Sequence, residues 1–130
     1  MANAGAIDSA RQEEFVEKVI GQISGTMTTL LGALGDRLGL FNNLAEQGPA
    51  TSAEFASRTK LNERYLREWL GGMATAGYLK YDGSTTRFSL PAEHASVLAH
   101  GNGPFFVGGV YHTLPALTGI FEQVVTAFRN

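Results

Sequence analysis

The stretch LNERYLREWLGGMATAGYLKYDGSTTRFSL, Leu61–Leu90, leaves this chain fewer alternatives than any other. Asn62 suits a helix N-cap, because its short side-chain carbonyl accepts hydrogen bonds from first-turn amides. Leu61 just before it can staple onto Leu66, four places into that helix. Leu66, Trp69, Leu70 and Met73 recur at three- and four-residue steps, so the spacing predicts a helix with a buried stripe and Tyr65 on its edge. Gly77 supplies the left-handed residue that ends such a helix. Beyond it Leu79 and Tyr81 alternate with Lys80, and Phe88 and Leu90 alternate with Arg87 and Ser89. Asp82-Gly83 between them predicts the turn of a hairpin.

Upstream, TSAE at Thr51–Glu54 fits a capping box, which starts a short helix Ser52–Arg58 that ends in a TKL turn. Helix, turn, helix and hairpin together make a winged helix-turn-helix over residues 51–90. Before it a long helix starts near Asp8 or Ser9, with Phe15, Val19, Ile23 and Met27 four residues apart and Val16 and Ile20 beside them. It is expected to break or bend near Gly25 or Gly32. Leu31, Leu34, Leu38, Phe41 and Ala45 continue as a second stripe up to the GPA after Gln47. Gly32, Gly35 and Gly39 each weaken a helix by about 1 kcal/mol relative to alanine. Close approach to another helix, within the chain or across a dimer, is the expected compensation. Pro91 opens a helix to about Ala99, and Pro104–His112 and Leu114–Arg129 read as further helices. The last carries Leu117, Ile120, Phe121, Val124 and Phe128. The expected architecture is mainly α with a small β-hairpin wing: a disordered tail 1–7, dimerisation helices 8–50, the winged unit 51–90 and C-terminal helices 91–130.

The composition excludes several functions. The 130 residues carry a net charge of −2 with a sequence pI near 5.9, so no global field draws the chain to nucleic acid or anionic membrane. There is no cysteine, hence no disulfide or thiolate metal site. The start MANAGAIDSARQEEF lacks a signal peptide's basic region and apolar run, and no apolar stretch approaches the roughly 20 residues of a membrane span. The cytoplasm is the expected compartment.

Motifs of chemistry are missing as well. GALGDRLG is glycine-rich but lies within a helical stripe, and GNGP at Gly101–Pro104 reads as an interhelix turn. Neither GxGxxG nor GxxxxGK[ST] occurs. His94, His100 and His112 lack metal-ligand spacing and no acidic residue pairs with them in sequence; His94 and His100 read as surface or helix-end residues. Ser52, Ser57 and Ser89 lie at caps, helix faces or strands rather than on a nucleophile elbow. Glu13 and Glu14 belong to a solvated helix face. No catalytic, cofactor-binding or metal-binding residue is assigned.

A winged helix invites DNA, and a transcriptional regulator is the alternative reading, with Arg64, Arg67, Lys80 and Arg87 as its DNA contacts. Yet the exposed positions of the second helix are Glu63, Arg64, Arg67, Glu68, Gly71 and Thr75, two arginines against two glutamates. Asp82 offsets the wing, and Glu54 offsets Arg58 and Lys60. Phosphate neutralisation dominates DNA affinity, and this face has scarcely any positive surplus. A second oddity lies downstream: His94–Phe121 contains no Asp, Glu, Lys or Arg. Such a run needs cover, from the domain's own core, a second subunit or a further domain.

LGDRLGLF at Leu34–Phe41, NERYLREWL at Asn62–Leu70, GYL at Gly77–Leu79 and LPAEHASVL at Leu90–Leu98 occur in an order that resembles the N-terminal winged-helix domain of a group of class I S-adenosylmethionine-dependent methyltransferases. The similarity covers most of Thr29–Arg129. It implies a dimerisation and substrate-covering domain, followed by a Rossmann-like catalytic domain that holds the cofactor. On that resemblance the chain ends, at VVTAFRN, where the linker to that domain would begin, so the catalytic domain is expected to be absent and the chain alone inactive. S-adenosylmethionine is then expected for the full-length protein, with no cofactor residue here. A homodimer and a small-molecule substrate are the expected partners. Phe105, Phe106, Tyr111 and His112 are candidates to line the substrate cavity; their other reading is as ordinary core and interface residues.

Overall fold

The computed structural model describes residues 5–101 and 103–129. Residues 1–4 of the expected disordered tail, and Asn102 of the GNGP turn, lie outside the described residues. Helix α1 runs unbroken from Ser9 to Arg37, and the Asp8 carboxylate accepts from the Ala10 and Arg11 amides. The expected break near Gly25 or Gly32 does not occur. A mid-helix glycine costs about 1 kcal/mol but forbids nothing. The break falls instead at Gly39, whose φ of 68° is left-handed, and α2 (Leu40–Gln47) follows.

The capping box is formed as expected: Thr51 Oγ1 accepts from the Glu54 amide, and Glu54 returns to the Thr51 amide at 2.9 Å, starting α3 (Ser52–Thr59). Asn62 caps α4 (Glu63–Thr75) through the Arg64 and Tyr65 amides. That helix closes as the glycine signal requires. Gly77 has φ 81°, the Tyr78 amide donates to the Met73 carbonyl at 2.9 Å, and the Gly77 amide donates to Ala74 at 3.0 Å.

The wing consists of β1 (Lys80–Asp82) and β2 (Arg87–Ser89), antiparallel with Tyr81 opposite Phe88. Its turn differs from the expected Asp-Gly pair. The connection spans 83–86, Thr86 rather than Gly83 takes the positive φ, and the Asp82 carboxylate accepts from the Ser84 amide and the Ser84 and Thr85 hydroxyls. Those three bonds, led by the Ser84 hydroxyl, hold the Asp82 carboxyl below its ordinary range. Ala50 adds an isolated bridge to Phe88, tying the start of the winged unit to its wing.

Helix α5 (Ala92–Leu98) follows Pro91, which stands at the cap. The expected helix Pro104–His112 contracts to α6 (Gly108–Tyr111), because the Val107 amide is drawn off to the Val97 carbonyl at 3.0 Å. The expected helix Leu114–Arg129 divides at Ile120, just after Gly119, into α7 (Leu114–Gly119) and α8 (Phe121–Arg129).

The core gathers Leu40, Phe41 and Leu44 of α2, Phe55 of α3, the whole Leu66–Trp69–Leu70–Met73 stripe, Leu79 and Leu98. Each fully buried leucine or methionine contributes about 1.5–3 kcal/mol. Helix α1 joins this core through glycine notches. Gly32 lies against the Tyr111 ring, Gly35 against Trp69 and Phe41, and the Trp69 indole N–H donates to the Leu31 carbonyl at 2.8 Å. Leu34 and Leu38, expected in the buried stripe, are about half exposed, because the core-facing side of α1 here is Gly32 and Gly35. Among the described residues no helix is long and apolar enough to cross a membrane.

Candidate functional site

Two surfaces come into question, the outer face of α4 with its wing and the C-terminal segment beside α1. On the first, the residues expected to meet DNA are partly spoken for. Arg87 pairs with Glu54 at 2.6 Å, and Arg67 stands 3.8 Å from Glu63 one turn earlier. Arg58 donates to the Gly48 and Pro49 carbonyls at 2.7 and 2.9 Å, stitching α3 to the end of α2. The Thr51 amide first, and then Arg87, hold the Glu54 carboxyl below its ordinary range. Arg64 and Lys80 are exposed, but neighbouring carboxylates answer the rest of the cationic set. The face is electrically balanced, which suits packing and solubility more than a phosphate backbone.

The second surface is assembled by the charge-free run. Val97, Leu98, Ala99, Val107, Tyr111 and Leu114 turn into the domain core, while Phe105, Val110, Leu117, Ile120 and Phe121 stay outside. Of the four expected cavity residues, Tyr111 and His112 line one cavity of about 760 Å³ between α1 and α7, together with Leu30, Asp36, Arg37 and Leu114. Phe106 instead packs against Gly108, where a Cβ would overlap its ring, and Phe105 is 71 % exposed.

Sequence reasoning missed the acidic partners of two histidines. His112 Nε2 stands 3.0 Å from Asp36 Oδ2, and His100 lies 3.6 Å from Glu46. Neither pairing has a local signal, since each joins segments more than fifty residues apart. His94, expected at the surface or a helix end, is half-buried with Nδ1 2.7 Å from the Tyr78 carbonyl. Burial pushes the Tyr111 hydroxyl up to about 12, with Tyr78 and the Asp36 carboxylate adding to it. Among the described residues, no three His, Asp or Glu side chains are grouped as a metal ion would need.

Residues 26–100 match the Rv2258c-like winged HTH domain, well over half of the chain. The chain belongs to that family. This winged domain also superposes on solved methyltransferases. PigF with SAH matches at 24% identity and a TM-score of 0.74, over 88% of this chain and 33% of that one. The mitomycin 7-O-methyltransferase MmcR matches at 24% and 0.75, over 95% of this chain and 36% of that one. An O-methyltransferase family 2 protein from Planctomyces limnophilus, in complex with apigenin, matches at 25% and 0.62, over 78% and 29%. The Rv2258c-like domain thus spans about a third of the length of these structures. No curated protein matches it. In fold it is a winged helix-turn-helix that resembles the N-terminal domain of S-adenosylmethionine-dependent methyltransferases.

Proposed function

We propose that this domain is the dimerising, substrate-covering part of an S-adenosylmethionine-dependent methyltransferase, acting in the cytoplasm on a small molecule. The observation that carries the reading is α1. Every residue from Ser9 to Met27 is exposed, and this stretch carries Phe15, Val16, Ile20, Ile23 and Met27, each roughly half exposed or more. A ridge of about 28 Å, at 1.5 Å per residue, is far larger than a monomer leaves in water without purpose. A second copy is the occupant that the resemblance implies.

We assign the cofactor to the catalytic domain that the resemblance implies. Among the described residues the sheet is one antiparallel hairpin, with no strand leading through a glycine turn into a helix. No step is therefore assigned to this chain's residues. Its share of the work would be to cover the acceptor with the α1–α7 cavity, where Tyr111 and His112 sit, with Phe105 and Phe106 on the flanking loop.

Light scattering of the chain, alone and with Ile20→Glu and Ile23→Glu together, tests the first half. A dimer that the double variant converts to monomer is expected; a monomeric parent chain refutes it. Methyl transfer from labelled S-adenosylmethionine by the full-length gene product tests the second. Tight, salt-sensitive binding of a DNA duplex in fluorescence anisotropy would instead support the regulator reading.

A further inference from the structure

A second cavity lies on the other side of Tyr111 and has no part in the reading above. It is an open-mouthed hollow of about 450 Å³ between the end of α4, α5 and α6, lined by Ala76, Tyr78, His94, Val97, Val107 and Tyr111 among others. That volume falls in the range of small-molecule sites, which are mostly apolar with a few fixed polar groups. The walls here are apolar in that way. Val97 and Val107 are partly buried, their backbones joined by the 3.0 Å bond from the Val107 amide to the Val97 carbonyl, and Tyr111 is buried.

The fixed polar group is His94. Its Nδ1 lies 2.7 Å from the Tyr78 carbonyl oxygen, and a carbonyl only accepts, so Nδ1 carries the hydrogen. In the neutral ring Nε2 is then a lone-pair acceptor, and no hydrogen bond within the chain occupies it among the described residues. The charge pattern narrows the ligand further. No lysine or arginine lines the cavity, and Glu93 stands on its wall, so anions are disfavoured.

We propose that this cavity is a binding site for a neutral, apolar small molecule bearing one hydroxyl group, and that the hydroxyl donates to His94 Nε2. One hydrogen bond to a partly desolvated acceptor gives the ligand about a tenfold advantage over an analogue without the donor.

The probes are 2-naphthol, its methyl ether 2-methoxynaphthalene, and 2-naphthoate, titrated against the chain at about pH 8. Expected is binding of 2-naphthol about tenfold tighter than of the ether, with naphthoate weakest. His94→Asn retains a donor for the Tyr78 carbonyl but, being shorter, places no acceptor at the Nε2 position. It should bring naphthol down to the ether's affinity and leave the ether unchanged. Val107→Phe, which fills the cavity, should release both. On the unaltered chain, ¹⁵N shifts should show His94 protonated at Nδ1, with Nε2 moving on addition of naphthol and not of the ether. Equal affinities, discrimination that survives His94→Asn, binding that survives Val107→Phe, preference for naphthoate, no binding, or a ring protonated at Nε2 would each overturn the proposal. None of these readouts depends on methyl transfer or on dimerisation, so its failure is distinct from theirs.

Discussion

Gly35→Ala is the sharpest test of how α1 is held to the winged unit. A Cβ at Gly35 would overlap the Trp69 ring and stand 2.8 and 3.0 Å from two atoms of Phe41. Neither ring has room to withdraw. Phe41 and Trp69 are 1% and 5% exposed with ring centroids 5.2 Å apart, and the indole is pinned by its 2.8 Å bond to the Leu31 carbonyl. Alanine gains about 1 kcal/mol over glycine in a helix. Overpacking of a filled core costs about 1–3 kcal/mol, and a lost buried hydrogen bond a further 0.5–1.5 or so. The net is about 2 kcal/mol of destabilisation, or a fall in Tm of roughly 5–10 °C for a domain of this size. The readout is direct, because Trp69 is the chain's one tryptophan and reports on the contact itself. Gly71→Ala is the matched control, since nothing lies within 4 Å of a Cβ there, and it should hold or raise Tm. A Gly35→Ala chain that melts at or above the parent with unchanged Trp69 emission would refute the notch argument.

Other outcomes follow from the same contacts. Tyr111, ordinary value 10 and raised to about 12, favours the fold while neutral; its contribution is whole below pH 10 and is lost as pH rises to about 12. That amounts to about 2–3 kcal/mol, and Tyr111→Phe should flatten the alkaline fall in urea midpoint; an unchanged slope counts against it. Glu54 is depressed, so its contribution is present above the ordinary glutamate range and is lost as pH falls through its lowered value. Glu54→Gln should therefore lower the urea midpoint near neutrality and remove part of the acid-side slope, which chemical denaturation from about pH 3 to 6 would show. Asn62→Ala removes the α4 cap and should cost about 1 kcal/mol in the same assay.

The winged unit was legible because its signals are local. Thr51 with Glu54, Asn62 with the amides after it, and Gly77 with Met73 are each decided within a few residues. The wing turn was a local exception, since Asp82 takes up Ser84 and Thr85 and moves the positive φ to Thr86; the other errors came mainly where a distant partner decides. Nothing near Gly32 or Gly35 says that a tyrosine and a tryptophan will fill the notches and keep α1 straight. Nothing near Val107 says that the Val97 carbonyl will take its amide and shorten the next helix. For the site, Tyr111 and His112 were named as candidates only through a resemblance, and Asp36 opposite His112 not at all. His94 looked like a surface residue because its partner is a main-chain carbonyl, which leaves no mark on sequence.

Helix α1 also shows why the winged shape alone does not decide the partner. Its last turns are anchored by Gly32, Gly35 and the Leu31 carbonyl, while Ser9–Met27 touches nothing that buries it. This stretch also carries Gly21 and Gly25, each of which weakens a helix by about 1 kcal/mol relative to alanine. The first half of α1 thus leaves an apolar ridge uncovered, and a polyanion such as nucleic acid does not suit a ridge whose flanking charges include Glu13, Glu14 and Glu17. The α4 face and its wing lead to the same place from the other side, since Glu63 and Glu54 pair with Arg67 and Arg87. Neither surface offers the positive surplus that a phosphate backbone needs.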